Sequence, residues 1–483
     1  MNPLLYTDGY KVDHRRQYPN QTTLVYSNWT PRKSRIAGIE EVVFFGLQYF
    51  LKKYVIEDFN TSFFHQPKQE VVSKYARRIN NYLGTNAVGT AHIEALHDLG
   101  YIPMVFKALP EGVSVPIRVP MFTMYNTKPE FFWLTNYFET LLSTTVWLPC
   151  NSATIAKQYR KLLDKYAKET SSIPEFVDWQ GHDFSMRGMA GLEAALLSAA
   201  GHLLSFTGSD TIPAIDFLET YYQANSDQEL VGGSVAATEH SVMCMGTNSG
   251  EQETFKRLIT ETYPAGIVSI VSDTWDLWKV LTEYLPSLKQ EVLARDGKVV
   301  IRPDSGDPVD IICGNPNGKT TEEKKGVIQL LWDIFGGTTN SKGFKELDAH
   351  IGAIYGDSIT LERAEAICQR LKQNGFASTN VVLGIGSFTY QYNTRDTFGF
   401  AMKATYGEVD GEGREIFKDP ITDDGTKKSA KGLIKIEKQN GAYQLIDQVS
   451  WEEEKQGELK EVFRDGKLLI DQSLAEIRER IKG

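Results

Sequence analysis

The sequence predicts an α/β fold in which βα units line up parallel strands, joined to a second, sheet-containing α+β domain. Three observations predict it. A short apolar strand, a polar or glycine-bearing turn and a helical segment recur through the middle of the chain. The polar residues that end those strands recur at a near-constant spacing. The texture also changes at Cys150, from mixed strand and helix patterns to this repeating one.

With 483 residues the chain exceeds the size at which one hydrophobic core stops growing, so two domains are expected. The first, over 1–150, mixes strand patterns (TTLVYSNW, EEVVFFGLQYF, SVPIRVPMFTMY) with helical stretches such as 70–82. An amphipathic helix is expected over 151–170, with Asn151 or Ser152 as its N-cap. The repeating region then ends its strands at Asp210, His240, Asp273, Asp304, Asp357 and Gly386. The steps between them are 30, 33, 31, 53 and 29 residues. Only the long step carries an insertion signal, GNPNGKTTEEKKG over 314–326. Spacing near 30 with this texture marks successive βα units. Beyond 400, the strand patterns GLIKIEK and AYQLIDQV and a charged helix over 474–482 suggest a sheet-rich segment folding back on the first domain.

The net charge of −10 opposes general affinity for nucleic acid or anionic membrane. Four scattered cysteines form no CxxC pair, and the opening residues lack an apolar signal region, so a reducing, cytoplasmic setting is expected.

In parallel folds the ligand site lies at the carboxyl ends of the strands, where the reactive residues of this chain collect. A single Asp or Ser there can simply cap the next helix. Six chemically loaded strand ends in succession point instead to a site. IRPDSGDP (301–308) is the most informative string, because Arg302 and Asp304, at i and i+2, project to one side of an extended chain and can grip a sugar and a phosphate. YGDS and LGIGSF bring glycines to turns before helices, a texture suited to phosphate. GIGS lacks the third glycine of a dinucleotide fingerprint, which weakens an NAD-dependent oxidoreductase reading. His240, after Glu239, is open to several roles: phosphate acceptor, general base, metal ligand or plain structure. In HDFSMRG, Phe184 and Arg187 are expected on one face of a helical turn, an aromatic and a guanidinium for one flat ligand. The basic, aromatic opening DGYKVDHRRQYP is by itself only a solvated charged stretch.

Taken together, DGYKVDHRRQYP, HDFSMRG, FTGSDT, AATEHS, IVSD, IRPDSGDP, NSKGFK, GDS, GIGS, TRD and FKDP resemble the nicotinate/nicotinamide phosphoribosyltransferase family, in that family's order over nearly the whole chain. The resemblance implies an irregular (β/α) barrel of the type II phosphoribosyltransferase kind over 151–399. The N-terminal α+β domain, 1–150, would be completed by 400–483. It implies transfer of a phosphoribosyl group from 5-phosphoribosyl-1-pyrophosphate to nicotinamide in NAD salvage. Mg²⁺ would travel with the pyrophosphate rather than on protein side chains, ATP would be a co-substrate, and a homodimer would form its active sites at the subunit interface. The nearest alternative is a nicotinate phosphoribosyltransferase.

The same resemblance implies roles residue by residue. Phe184 would stack on the pyridine, with Tyr10 of the second subunit on its other face. Arg187 would lie near the carboxamide oxygen, and Asp210 would accept from the carboxamide NH2 while repelling a carboxylate. Arg302 and Asp304 would contact ribose and pyrophosphate, and Gly356, Asp357, Gly386 and Ser387 would form the phosphoribosyl loops. ATP would phosphorylate His240, oriented by Glu239 and Asp273. Arg32, Arg395, Lys403, Lys418 and Lys427 would surround the pyrophosphate. One departure stands out: Ser387 and Phe388 occupy positions where the family has glycines.

Overall fold

A computed structural model describes residues 1–84, 88–356, 358–418 and 430–482; Asp357 and Lys427 lie outside the described residues. The chain forms two compact units. One comprises Met1–Thr154, Phe217–Ala224 and Asn393–Gly483, the other Ile155–Asp216 and Asn225–Tyr392.

The first unit is built on a seven-stranded antiparallel sheet. Its order is Glu412–Glu415, Ala401–Val409, Thr22–Thr30, Phe122–Asn126, Met104–Ala108, Lys460–Arg464 and Lys467–Leu468. Strands from the start of the chain thus hold the centre, and strands from its end pair on both sides. Trp29, fully buried, explains the join. Its ring stacks on Phe122 at 6.1 Å and on Phe400 at 5.4 Å, three distant parts of the sequence in one aromatic layer.

EEVVFFGLQYF behaves differently from its strand pattern. Only Glu41–Val43 pairs, with Ser114–Pro116, and helix begins at Leu47. Gly46, at φ +106°, turns the chain there. Glu111 makes the turn stable. Its fully buried carboxylate accepts from the Gly46 and Gln48 N–H groups (3.1 and 2.7 Å) and from the Tyr222 hydroxyl (3.0 Å). The Gln48 side chain in turn donates to the carbonyls of Tyr221 and Gln472. One carboxylate therefore staples the 217–224 stretch into this unit, while Gln48 ties in the C-terminal segment.

The second unit is a curled sheet of seven parallel strands. Its order is Gly208–Ser209, Gly181–Asp183, Val381–Ile385, Ile351–Tyr355, Asp296–Arg302, Ala265–Val271 and Ala236–Ala237. Helices such as Leu192–His202, Thr321–Phe335 and Leu361–Gln373 follow the strands. KVVIR looks uniformly apolar at its centre yet alternates: Val299 and Ile301 are fully buried, whereas Lys298, Val300 and Arg302 line an interior cavity.

Three local expectations are corrected. HDFSMRG is not a helical turn around Phe184. Gly181–Asp183 is a seventh parallel strand with Phe184 just beyond it, and only Met186–Gly188 winds into a turn. In HLLSFTGSD the strand is confined to Gly208–Ser209, because helix Leu192–His202 takes the first residues. The helix expected from Asn151 begins at Glu139 and runs to Thr170 through Pro149, and Asn151 and Ser152 are buried inside it instead of capping it. Among the described residues no helix is long and apolar enough to cross a membrane.

Glu111→Ala should leave two buried N–H groups and a buried hydroxyl without partners. At about 1–3 kcal/mol for each stranded group, the loss should be at least roughly 3 kcal/mol, seen as a lower midpoint in thermal or urea unfolding.

Candidate active site

All seven strands of this parallel sheet point their carboxyl ends the same way, so the residues just beyond them share one rim. In sheet order these ends carry Asp210, Phe184, Gly386, Gly356, Arg302 with Asp304, Asp273, and His240.

The first two ends are tied by Asp183, which has no solvent exposure. Its Oδ1 accepts from the backbone N–H and hydroxyl of Ser185 (3.0 and 2.6 Å). Its Oδ2 accepts from the hydroxyls of Ser209 and Thr211 (both 2.8 Å). Four donors compensate the burial of this carboxylate. The Asp183 carbonyl also accepts from Asp210 N–H, setting the next side chain in place.

Asp210 is half-exposed. Its Oδ1 accepts from His182 Nε2 at 2.8 Å and from the Ser234 hydroxyl at 2.6 Å. Burial pushes its pKa up, but these hydrogen bonds and the nearby Arg302 charge prevail and hold the carboxyl below its ordinary value. The His182 ring lies 4.5 Å from the Phe184 ring, and the Arg302 guanidinium lies 5.7 Å from Phe184 on another side. Phe184 can lie so close to the sheet because residue 384 is glycine; a Cβ there would come within 2.9 Å of the ring. Phe184, His182, Ser234 and Arg302 line a cavity of about 430 Å³ that continues inward past Ser269 to Lys298.

On the other side of the rim, Arg302 donates to the Thr238 carbonyl at 3.3 Å, while its buried Nε has no hydrogen-bond partner among the described residues. Asp273 Oδ2 accepts from Asp304 N–H (2.8 Å) and from the Ser305 hydroxyl (2.6 Å). His240 Nε2 stands 3.5 Å from Asp273 Oδ1, a buried oxygen without a hydrogen bond. His240 opens the helix His240–Met245, preceded by Glu239, whose carboxylate accepts from the Ser241 hydroxyl rather than capping the helix. Gly356 is required by close packing, since a Cβ there would fall 2.6 Å from Asp304 Oδ1 and 3.1 Å from Arg302 Nε.

Gly386 leads into the short helix Ser387–Gln391. The Ser387 hydroxyl packs where a side chain at Gly188 would otherwise sit. Phe388, more than half exposed, stacks on Tyr392 at 4.9 Å and turns away from the core. Arg187 lies on the exposed turn Met186–Gly188.

The remaining sequence-derived candidates belong to the first unit. Tyr10 is 62% exposed, on the turn Gly9–Lys11, with the buried Lys11 ammonium near its ring and paired to Glu139. Lys403 is half-buried. Burial pushes its pKa down, and the charges of Arg32, Lys418 and Arg395 push it further, against Glu139. Arg32 also donates to the Gly399 carbonyl at 2.9 Å. Four cations therefore share one neighbourhood.

Sequence reasoning missed three members of the site: His182, Ser234 and Asp183. His182 and Asp183 sit in a three-residue strand, too short for alternation to show in the sequence. Ser234 follows two glycines in a loop with no periodic signal.

Two family models match the chain: the nicotinate phosphoribosyltransferase (NAPRTase) family over residues 179–467, and the nicotinamide phosphoribosyltransferase N-terminal domain over residues 2–92. A nicotinamide phosphoribosyltransferase of Acinetobacter baylyi is 56% identical, covering 100% of this chain and 97% of that protein. One of Mycoplasma pneumoniae is 39% identical over 89% of this chain and 94% of its own length. In fold, human nicotinic acid phosphoribosyltransferase matches 99% of this chain and 93% of its own, with a TM-score of 0.57 at 15% identity. The nicotinate-nucleotide pyrophosphorylase of Pyrococcus furiosus matches the same shares with a TM-score of 0.56 at 13% identity. The curled parallel sheet with its additional sheet domain is thus a type II phosphoribosyltransferase fold, and the chain belongs to the nicotinate phosphoribosyltransferase family.

Proposed function

We propose that the protein transfers the phosphoribosyl group of 5-phosphoribosyl-1-pyrophosphate to nicotinamide, giving nicotinamide mononucleotide and pyrophosphate. The observation that carries this reading is Asp210, an ionised carboxylate fixed beside the aromatic wall of the cavity. A carboxylate accepts from a carboxamide NH2 and repels the carboxylate of nicotinate. Relatives that align over nearly the whole chain bear the name of this activity.

The pyridine nitrogen attacks C1 of the sugar as the C1–O bond to pyrophosphate breaks, and the bonding pair leaves with pyrophosphate. The nitrogen is already nucleophilic, so no general base is needed, and positioning supplies much of the rate. Phe184 offers one face for stacking, and Tyr10 of a second subunit offers the other. Asp304 and Arg302, whose buried Nε has no partner among the described residues, suit the sugar and its phosphate, and Gly356 lets both side chains pack against the backbone there. Arg32, Arg395, Lys403 and Lys418 suit the pyrophosphate. Mg²⁺, bound with that leaving group, would offset its charge, and the buried Oδ1 of Asp273, without a hydrogen bond among the described residues, is a hard oxygen that would suit it. Arg187 is the exposed cation within reach of a carboxamide oxygen.

ATP enters as a co-substrate. The exposure of His240 and its Nε2 standing 3.5 Å from the Asp273 carboxylate support a role as phosphate acceptor, and its phosphorylation would add negative charge at the donor side of the rim. The protein acts as a homodimer in the cytoplasm.

Asp210→Ser should reduce the ratio of kcat/KM for nicotinamide over nicotinate by roughly 10- to 100-fold, the usual cost of a hydrogen bond to a charged group. An unchanged ratio in a steady-state assay with both pyridines would count against the assignment. His240→Ala should remove stimulation by ATP while transfer without ATP stays measurable; ATP dependence that survives this change rules out the phosphohistidine. Mixing inactive Tyr10→Ala chains with inactive Phe184→Ala chains should restore activity, toward about one quarter of wild type for random pairing of shared sites. No recovery would mean that each chain supplies its own site.

A further inference from the structure

An aspartate discriminates amide from acid only if its charge and direction are both fixed. A half-exposed carboxylate has a broad, two-fold terminal torsion and exchanges its oxygens readily. Asp210 does not have that freedom. Both of its protein donors, His182 Nε2 and the Ser234 hydroxyl, meet the same oxygen, Oδ1. Among the described residues no donor reaches Oδ2. The carboxylate is anchored by one oxygen and presents the other.

His182 is itself held on every side. It lies on the strand Gly181–Asp183, largely buried, with its ring against Phe184 at 4.5 Å. Its Nδ1 packs over Gly208 on the neighbouring strand, where a Cβ would stand only 2.7 Å away. An ionised carboxylate carries no proton, so Nε2 must carry the hydrogen that bridges to Oδ1.

We infer that His182 is the positioning residue for pyridine selection: its Nε2–H pins Oδ1 of Asp210, aims Oδ2 at the carboxamide NH2 and thereby excludes the acid. This inference rests on the nicotinamide reading of the site above. The hydrogen bond also keeps the carboxylate ionised against the effect of burial, which alone would favour a neutral acid able to donate to nicotinate. Gly208 belongs to the same device, since a side chain there would displace the ring.

The test uses the full-length enzyme with nicotinamide and nicotinate, comparing wild type, Asp210→Ser, His182→Phe and His182→Gln. Phenylalanine keeps the ring and loses the donor; glutamine loses the ring and keeps an N–H where Nε2 stood. His182→Phe should lower the nicotinamide-to-nicotinate ratio of kcat/KM at least about tenfold, chiefly through a higher KM for nicotinamide, because a binding contact is lost. His182→Gln should hold the ratio within about threefold of wild type even if its unfolding midpoint falls. A wild-type ratio in His182→Phe, or an equal loss in both variants, overturns the inference. If His182→Phe does not fold, His182→Asn, whose amide stops short of Asp210, takes its place with the same expected loss. Asp210→Ser separates the two levels. If it leaves the ratio unchanged, the reading of the site falls; if it lowers the ratio while His182→Phe does not, only the role of His182 falls.

Discussion

Everything at the rim depends on burying one charge successfully. Asp183 is completely enclosed, and an isolated carboxylate in that position would cost several kcal/mol or more. Four donors from Ser185, Ser209 and Thr211 hold it. Those donors come from two adjacent strand ends, so compensating the charge also fixes how the strands terminate. Phe184 follows Asp183 directly, and Asp210 lies between Ser209 and Thr211. The aromatic wall and the Asp210 carboxylate are therefore placed by the same hydrogen-bond cluster, which a mobile loop could not achieve.

Close approach is the second constraint. The rim packs Phe184, Arg302 and Asp304 against backbone at positions 384 and 356, where any side chain would collide with them. These glycines are not in left-handed conformations; space, and not φ, requires them. Small residues on the inner face leave a cavity of about 430 Å³ inside a parallel sheet whose interior is ordinarily filled by side chains. A flat ring can enter between groups that are already in position.

The sequence displayed much of this, for a physical reason. Polar residues at the ends of apolar strands are costly unless they function or cap, so Asp210, His240, Asp273 and Asp304 stood out at intervals near 30. The seventh strand escaped notice because Gly181–Asp183 spans three residues, fewer than a period of two needs to be visible. His182 was hidden with it, since nothing local distinguishes a strand-borne histidine from one in a turn. The start of the helix over Glu139–Thr170 was not legible because Pro149 resembles a break, yet in the fold the helix runs through it. Gly46 and Glu111 are 65 residues apart, so no local pattern could show that this glutamate turns a strand-like stretch into a helix.

The first unit carries the opposite electrostatic problem. The chain as a whole is acidic, yet Lys403 is half-buried beside Arg32, Lys418 and Arg395. Both burial and like charge disfavour its ammonium, and among the described residues Glu139, the carboxylate that opposes them, is already paired with Lys11. Such a cluster is unfavourable in the free protein and favourable once a multiply charged anion arrives. If pyrophosphate binds there as proposed, part of its affinity would be the relief of repulsion already present in the fold, a contribution that uncharged competitors cannot supply. Such binding would also stabilise the folded unit, because the unfolded chain holds no such concentration of charge.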